Sequence, residues 1–587
     1  MTNITVFNNP DANGTPLQLG KDQYIAEGGE GTVYKVLHPD QTKEIAIKIF
    51  NKRKFKSEAD RNHLRKKIDT MVKMGNNDNQ ALIKFPEVAW PQILVYNEDG
   101  QFCGYGMRYI EGEPLTRLAH FKLYKQHFPD MDREKVANML IKLWESAKFL
   151  HDRNIYIGDV NRDNVLCTEK YGICWIDADS FQIEGFPCMV GRPDMTPPEH
   201  NQEYQYFREI KRNAESDRFS LAILSFLCFM LGCHPSNRIG GSTLVENFRS
   251  GHFPYKSIGT HPDVPQGPWY KIWSHYTYDI KNLFVNMFTK GRDPNNRASA
   301  EEWVHVLRQY IKQLQRKEPL IAEDGGEFGC CRKMIPDAVK PSLEKSNIAY
   351  NPTSLSSNSK KEEAMTNSNN DLIENPTPRC PCMLVLDVSN SMEGEKIARL
   401  NEGVRQFLKE VCEDEFAIYS VELGVVTFGG NVKTSAEFGS PSEMEWKDLG
   451  ASGRTPMGEA VNKAILALDK RKQEYADNGV SYYQPWLVLM SDGRPTDDYL
   501  GTAAKLRSLA NDKKIIVFGV GIGENCNMNV LSEFCPEKRP PARLDGLKFK
   551  EFFAWLSQSM SRVNQSAPGA EVHLETPPLI GWDIINK

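Results

Sequence analysis

Two stretches decide the reading of the first half of the chain: IYIGDVNRDNVL, from Ile155 to Leu166, and GICWIDADSF, from Gly172 to Phe181. Asp159 and Asn164 stand five residues apart in the first. A carboxylate to accept a hydroxyl proton beside an amide oxygen to hold a metal ion suits phosphoryl transfer. In the second, Asp177 follows a short apolar strand, and a carboxylate there can hold Mg2+, which favours carboxylates plus substrate phosphates. Working outward, YIAEGGEGTVYKV (24–36) reads as a Gly-rich turn between strands, where backbone N–H groups can approach phosphates closely. Lys48 follows in EIAIKIF (44–50), and a lysine at that place can neutralise nucleotide phosphates. Singly, each piece is also what an ordinary hairpin glycine, solvated strand lysine or loop aspartate looks like. Their order and spacing together are not.

As an ordered set these residues resemble the protein kinases. Gly28, Gly29 and Gly31, followed by Val33 and Tyr34, resemble the Gly-rich loop, and IAIK ending at Lys48 the strand that carries the phosphate-binding lysine. DVNRDN from Asp159 to Asn164 resembles the catalytic loop, and DAD at Asp177 takes the D-F-G place. PPE ending at Glu199, SDRFSLA with Asp217 and DPNNRASA with Arg297 resemble the end of the activation segment, the helix that supports the catalytic loop, and the arginine that pairs with that glutamate. The resemblance implies ATP and Mg2+ as cofactors. It implies Asp159 as catalytic base, Gly28, Gly29, Gly31, Val33 and Lys48 on the nucleotide, and Asn164 and Asp177 on the metal. The chain departs from the pattern in places. Ala26 replaces the first glycine, Ile157–Gly158 the His-Arg pair, Asn161 the catalytic-loop lysine and Asp179 the glycine of D-F-G. Glu58 is the nearest candidate for the helix carboxylate that would partner Lys48. With WP at Trp90–Pro91 and FCGYGMRYIEG (102–112), the pattern is similar to a divergent bacterial kinase-like group often encoded near von Willebrand A proteins.

The last third alternates apolar strand candidates, MLVLDV, YSVELGVVTFG, WLVLMSDG and IIVFGVGIG, with amphipathic helical patterns such as KIARLNEGVRQFLKEV. Buried strands alternating with helices predict a doubly wound, mostly parallel sheet, with ligands outside the carboxyl ends of its strands. Three such ends carry oxygen ligands: Asp387, Ser389 and Ser391 in LVLDVSNSM, Thr455 in GASGRTPMGEA, and Asp492 in LVLMSDGRPTDD. All are hard donors, without Cys or His, a set that selects a hard cation over zinc. This half resembles the von Willebrand factor A domains over about 379–562. Its wording is close to the bacterial domains linked to tellurium-resistance-type stress operons. The resemblance implies a metal-ion-dependent adhesion site at Asp387, Ser389, Ser391, Thr455 and Asp492, holding Mg2+ and leaving one position for a partner's carboxylate.

The expected organisation is an N-terminal tail (1–17), an α+β bilobal kinase-like domain (18–315), a flexible linker (316–378), an α/β doubly wound von Willebrand A domain (379–562) and a C-terminal tail (563–587). The linker assignment rests on a stretch rich in Ser, Asn, Lys, Glu and Pro with few aromatics, which cannot bury enough apolar surface to offset its ordering entropy. Net charge is only -5 and no basic block dominates, so neither nucleic acid nor a membrane surface is an expected partner. LAILSFLCFMLGC (221–233) is too short to cross a bilayer, which takes about 20 residues, and suits a buried core helix. The polar start shows no secretion leader, and the expected location is cytoplasmic. The thirteen cysteines lack the spacing of a zinc site.

The combined expectation is an ATP-dependent Ser/Thr-type protein kinase tethered to a metal-dependent protein-recognition domain, in bacterial stress or defence signalling. Its partners would be ATP, a protein substrate and a protein bound at the adhesion site. By resemblance, a PP2C-type phosphatase encoded nearby is a further partner. Asn161 leaves a second reading open, a nucleotide-binding pseudokinase scaffold. The short activation segment leaves a third, a kinase of a non-protein acceptor.

Overall fold

The structure is a computed structural model, and it describes residues 4–8, 16–27, 30–37, 43–200, 210–259, 261–317, 319–321, 327–329, 331–336, 372–373, 375–523, 526–544, 548–565 and 579–580. The expected Gly28 and Gly29 lie outside the described residues. Contacts divide the chain into two compact units. One comprises 1–191, 195–232 and 274–336, and the other 192–194, 233–273 and 337–587. Among the described residues no helix is long and apolar enough to cross a membrane.

The first unit opens with β1 (Ile4–Val6) paired antiparallel to β2 (Leu17–Leu19). The residues read as a tail are therefore partly core. The reason is apolar patterning: Val6 and Leu19 are fully buried with Tyr34, Ile45, Ile47 and Val95. Five strands then form an antiparallel sheet: β3 (Tyr24–Glu27), β4 (Gly31–Leu37), β5 (Glu44–Phe50), β6 (Pro91–Tyr96) and β7 (Phe102–Arg108), in the order β3-β4-β5-β7-β6. Helix α1 (Glu58–Asn76) lies between β5 and β6 in sequence. Ser57 starts it, its hydroxyl accepting from the Asp60 amide at 3.1 Å and satisfying one of the first-turn donors.

The rest of this unit is mainly helical. In α2 (Arg133–His151), Asp132 caps the N-terminus by accepting from the Lys135 amide. A small antiparallel sheet carries β8 (Val165–Thr168) and β9 (Gly172–Trp175). Helix α3 (Ala214–Phe229) is buried on every side from Phe219 to Phe229, as its largely apolar run implies. In α4 (Ala300–Arg316) Ser299 and Glu302 form a reciprocal capping box. α2 and α4 meet through Trp144 and Trp303, stacked with centroids 4.6 Å apart. Part of the stretch read as linker belongs here as well. Arg332 accepts from the Arg133 amide at 2.8 Å, its guanidinium meets Asp132 and Glu134, and Met334 is buried. Most of the remaining linker, 337–371, lies outside the described residues.

The second unit holds a seven-stranded sheet: β10 (Cys380–Asp387), β11 (Val421–Gly429), β12 (Asn431–Gly439), β13 (Trp486–Ser491), β14 (Ile516–Gly521), β15 (Ala542–Leu544) and β16 (Leu579–Ile580). Their order is β12-β11-β10-β13-β14-β15-β16. The five strands from β11 to β15 are mutually parallel, and the two edge strands are antiparallel. The edge strand β16 comes from the expected C-terminal tail. Successive side chains of β10 point to opposite faces. Leu384 and Leu386 pack with α5 (Glu395–Glu413) and α8 (Phe549–Gln565). Met383 and Val385 pack with α6 (Met457–Asn478) and α7 (Leu500–Asn511). Covered on both faces, the sheet is the doubly wound arrangement read from the apolar runs. Cys233–Trp273 belongs to this unit through Ser481, whose hydroxyl donates to Asn237 at 2.6 Å and meets the Asn247 amide at 3.2 Å.

Glu422 on β11 is 4% exposed and clamps this unit's charges. Arg471 reaches it with two bonds, 2.7 and 2.9 Å, Tyr475 donates at 2.6 Å, and Arg379 Nε stands 3.2 Å away. Burial would raise the Glu422 pKa, but Arg471 outweighs it and holds it below the ordinary 4.5. A lowered carboxylate pKa stabilises the fold fully above the unfolded value and loses that contribution as pH falls through the folded value. Glu422→Ala strands two buried guanidinium groups and is expected to cost about 3–5 kcal/mol at neutral pH. The deficit should shrink as the pH drops below the carboxylate range. Denaturant unfolding of the full chain at several pH values checks this, and a deficit independent of pH contradicts it.

Candidate functional site

Lys48, on β5, is 2% exposed. Its ammonium stands 3.1 Å from Asp177 Oδ1 and 2.9 Å from Asp179 Oδ1, with Glu30 of the Gly-rich turn at 3.8 Å. Burial would drive Lys48 toward neutrality, but Asp177 and Asp179 outweigh it and hold its pKa well above the ordinary value. Asp179 is 3% exposed and also accepts from the Tyr105 hydroxyl at 2.7 Å. Burial would raise its pKa, yet Lys48 and Lys54 hold it well below the usual carboxylate range. Asp177 has a left-handed backbone, φ 56°, and its carboxylate is 35% exposed. A non-glycine residue in that region is uncommon, and such conformations cluster at functional sites.

The expected helix partner of Lys48 is corrected here. Glu58 opens α1 as a solvent-facing residue and pairs with Arg61 at 3.3 Å. The carboxylate that holds Lys48 comes instead from Asp179, where the sequence reading saw only a missing glycine. A signal was present, since a second acid two residues after Asp177 can turn inward where glycine cannot supply charge.

The catalytic-loop residues gather around Asp159. Asn164 donates its amide to the Asp159 carbonyl at 2.9 Å and to its carboxylate at 3.1 Å, which leaves the Asn164 side-chain oxygen as the atom for a cation. Asp217 on α3 fastens the loop from below, accepting from the amides of Ile157 at 2.7 Å and Gly158 at 2.9 Å. Glu199 and Arg297 form the expected pair, bidentate at 2.7 and 2.6 Å. Asn161, where a lysine was missed, is 2% exposed, and its oxygen accepts from the amides of Asp163 and Asn164. It shapes the loop and brings no charge.

Gly158 has φ 72°, and a side chain there would collide with Cys188 and approach Arg212. The space an arginine would need beside Asp159 is thus filled from the activation segment. Arg212 is 1% exposed and donates to the Val190 carbonyl at 3.1 Å. Gln182 closes the segment by bonding both backbone groups of Arg212, at 2.8 and 2.9 Å. Gly31 and Val33 lie on β4, with Val33 paired in register to Lys48.

In the second unit the order of parallel strands reverses between β10 and β13, and the crevice at their carboxyl ends gathers the predicted ligands. Asp387 ends β10, is fully buried, and accepts from the Ser389 amide at 2.9 Å and the Ser491 hydroxyl at 2.5 Å. The hydroxyls of Ser389 and Ser391 are 3.0 Å apart, and Ser391 donates to Asp492 at 2.6 Å. A Cβ built on Gly493 would lie 3.3 Å from Thr455 Oγ1 and 3.7 Å from both Asp387 Oδ2 and Ser391 Oγ, so three loops converge on one small space. Burial raises the Asp387 pKa against the opposing bonds from Ser389 and Ser491, with Asp492 adding to the rise. Two buried carboxylates and three hydroxyls at one crevice fit a hard cation. Lys396 on α5 pairs with Asp492 and donates to the Ser391 carbonyl at 3.1 Å. Lys396 and Ser491 were not legible in the ligand pattern.

Comparison with known proteins finds two families along the chain. The protein kinase domain family matches residues 19–307, and the von Willebrand factor type A domain family matches residues 383–547. The chain is 25% identical over 326 residues to protein kinase YegI of Escherichia coli (strain K12), covering 54% of this chain and 47% of that one. It is 21% identical over 264 residues to serine/threonine-protein kinase dkf-1 of Caenorhabditis elegans, covering 43% and 32%. It is 23% identical over 159 residues to inter-alpha-trypsin inhibitor heavy chain H1 of Bos taurus, covering 25% and 17%. The chain thus spans about half the length of the bacterial kinase it matches. With Lys48, Asp159, Asn164, Asp177, Asp217 and the Glu199–Arg297 pair in place, this chain carries a protein kinase domain, followed by a von Willebrand factor type A domain.

Proposed function

We propose that the chain is an ATP-dependent protein kinase of the Ser/Thr type that recognises a protein through a metal site in its von Willebrand A domain. The observation that carries the first half is the 3.1 Å pairing of Lys48 with Asp177, which unites a phosphate-binding lysine and a metal-binding carboxylate from segments far apart in sequence. Bound Mg·ATP would supply an electrophilic γ-phosphorus. Asp159 accepts the proton of the acceptor hydroxyl, held in orientation by Asn164. Asn164 and Asp177 would hold the cation, and Lys48, kept in place by Asp179, would neutralise the phosphates. Arg212 and Gln182 hold the activation segment without a phosphate, and Thr196 is 2% exposed, which supports activity without activation-loop phosphorylation.

A second reading has one observation in its favour. Asn161 is spent on loop backbone and brings no positive charge to the reacting phosphate. On that reading nucleotide binding alone would regulate the von Willebrand A domain.

In that domain Asp387, Ser389, Ser391, Thr455 and Asp492 would hold Mg2+, with a partner's Asp or Glu completing the shell. The convergence of the three loops around Gly493 supports this.

Asp177→Asn is expected to abolish transfer from γ-labelled ATP and to weaken Mg·ATP binding. Asp159→Asn should keep ATP affinity within about twofold while transfer falls about 100-fold or more. Transfer at the wild-type rate in both variants contradicts the kinase reading. A wild-type protein that binds Mg·ATP and transfers nothing supports the scaffold.

For the metal site, calorimetry of the chelator-stripped protein without nucleotide should show Mg2+ or Mn2+ binding. Asp387→Ala and Thr455→Ala should lose it while melting cooperatively, since neither side chain belongs to the apolar clusters on the two faces of the sheet. Equal binding in both variants removes the metal site from these loops.

A further inference from the structure

Helix α1 buries a lysine. Its core-facing residues are Lys67, Ile68, Met71 and Gly75, and Lys67 is 5% exposed. The turn before it carries His63, whose ring meets Phe186 of the activation segment at 5.3 Å. The turn after it carries Met71, whose carbonyl accepts from the Trp90 indole at 2.8 Å. Lys67 therefore lies on the face of α1 that meets the activation segment. The ionisable groups around it are Cys188, Asp179, Lys54 and Glu30.

Lys67 has neither a hydrogen bond nor an ion pair among the described residues. The nearby carboxylates face other cations, and Asp179 Oδ2 makes no hydrogen bond among the described residues. Asp179 takes Lys48, Lys54 and Tyr105, Asp177 takes Lys48, and Glu30 takes Lys54 at 2.8 Å. A lysine drawn into the fold without a partner loses hydration, a loss that an anionic ligand can offset. Burial lowers its pKa, the mark of a charge short of compensation. Norleucine-like packing would need only methionine at this place. The feature also balances a loss, because the catalytic loop has Asn161 where a lysine would meet the reacting phosphate.

We propose that Lys67 is a second phosphate-binding lysine, which engages the terminal phosphates of a nucleoside triphosphate in the cleft that Lys48 serves. Its flexible four-carbon stem carries a compact charge, suited to a phosphate that changes position during transfer. This rests on the nucleotide-binding reading above. It goes further by assigning a charge on α1 to the polyphosphate, at the helix face where a carboxylate was expected.

The test compares full-length wild type with Lys67→Met by calorimetry, with Mg·ATP and with adenosine, and by thermal unfolding without ligand. The methionine variant should bind ATP at least about tenfold more weakly, with adenosine affinity within about twofold of wild type. Its unliganded melting midpoint should rise, since a partly desolvated lysine without a partner is gone. Unchanged ATP affinity in the variant, an equal loss for ATP and adenosine, or a lowered midpoint would each overturn the assignment. A wild-type protein that binds neither ligand defeats the nucleotide reading itself, and this proposal with it.

Discussion

A lysine that is 2% exposed keeps its charge most readily when carboxylates surround it. In this chain that preference organises the first unit. Lys48 draws Asp177 and Asp179 to one strand of the five-stranded sheet, so the loop after β9 is fixed by charge to β5. Tyr105 from β7 and Lys54 complete the second acid. Once Asp179 is pinned, Asp177 two residues earlier is presented in its left-handed conformation with an exposed carboxylate edge. Lys48 and Asp177, the residues proposed for phosphate and metal, are therefore set by one ion cluster that does not use a carboxylate from α1. The catalytic loop is set independently, by the two amides that Asp217 accepts. A helix that carries no acid for Lys48 is free to carry something else, and it carries Lys67.

The second unit solves a different problem with topology. Covering both faces of a parallel sheet leaves its carboxyl ends as the open crevice, deepest where the strand order reverses. Asp387 is buried there because it ends a strand whose every residue is buried. Its charge is tolerated through the Ser389 amide and the Ser491 hydroxyl, which fix its oxygens without neutralising them. The hydroxyls of Ser391 and Thr455 arrive from separate loops at the same space.

Much of this was legible in the sequence, for identifiable reasons. Continuous apolar runs such as MLVLDV announce strands buried on both faces, and β10 and β13 follow. Asp217, Glu199 and Arg297 could be assigned because their spacing repeats a known order, and the structure pairs them as read. What spacing does not encode is which way a side chain turns. Glu58 looked eligible by distance along the chain but sits in the exposed first turn of α1. Asp179 and Gly158 looked like losses at their positions, yet Asp179 supplies the carboxylate for Lys48 and the space beside Gly158 is taken by Cys188 and Arg212. The ends of the chain were misjudged for a simpler reason. Strands of two or three residues, such as Ile4–Val6 and Leu579–Ile580, are too short to show a period, and only pairing with distant partners reveals them. The division into units is likewise invisible to a linear reading, because Cys233–Trp273 joins the second unit through polar contacts with Ser481.

The central claim is that Asp179, rather than a helix carboxylate, holds Lys48 ready for phosphate. Asp179→Asn keeps the shape and removes the charge, so the direct measurement is the thermal midpoint of the full chain against rising Mg·ATP. Binding to the native state alone raises that midpoint with ligand concentration. The account predicts a clear rise for the wild type and little or none for Asp179→Asn. An equal rise in both would show that Lys48 is positioned without this carboxylate, and the account would be wrong at its root.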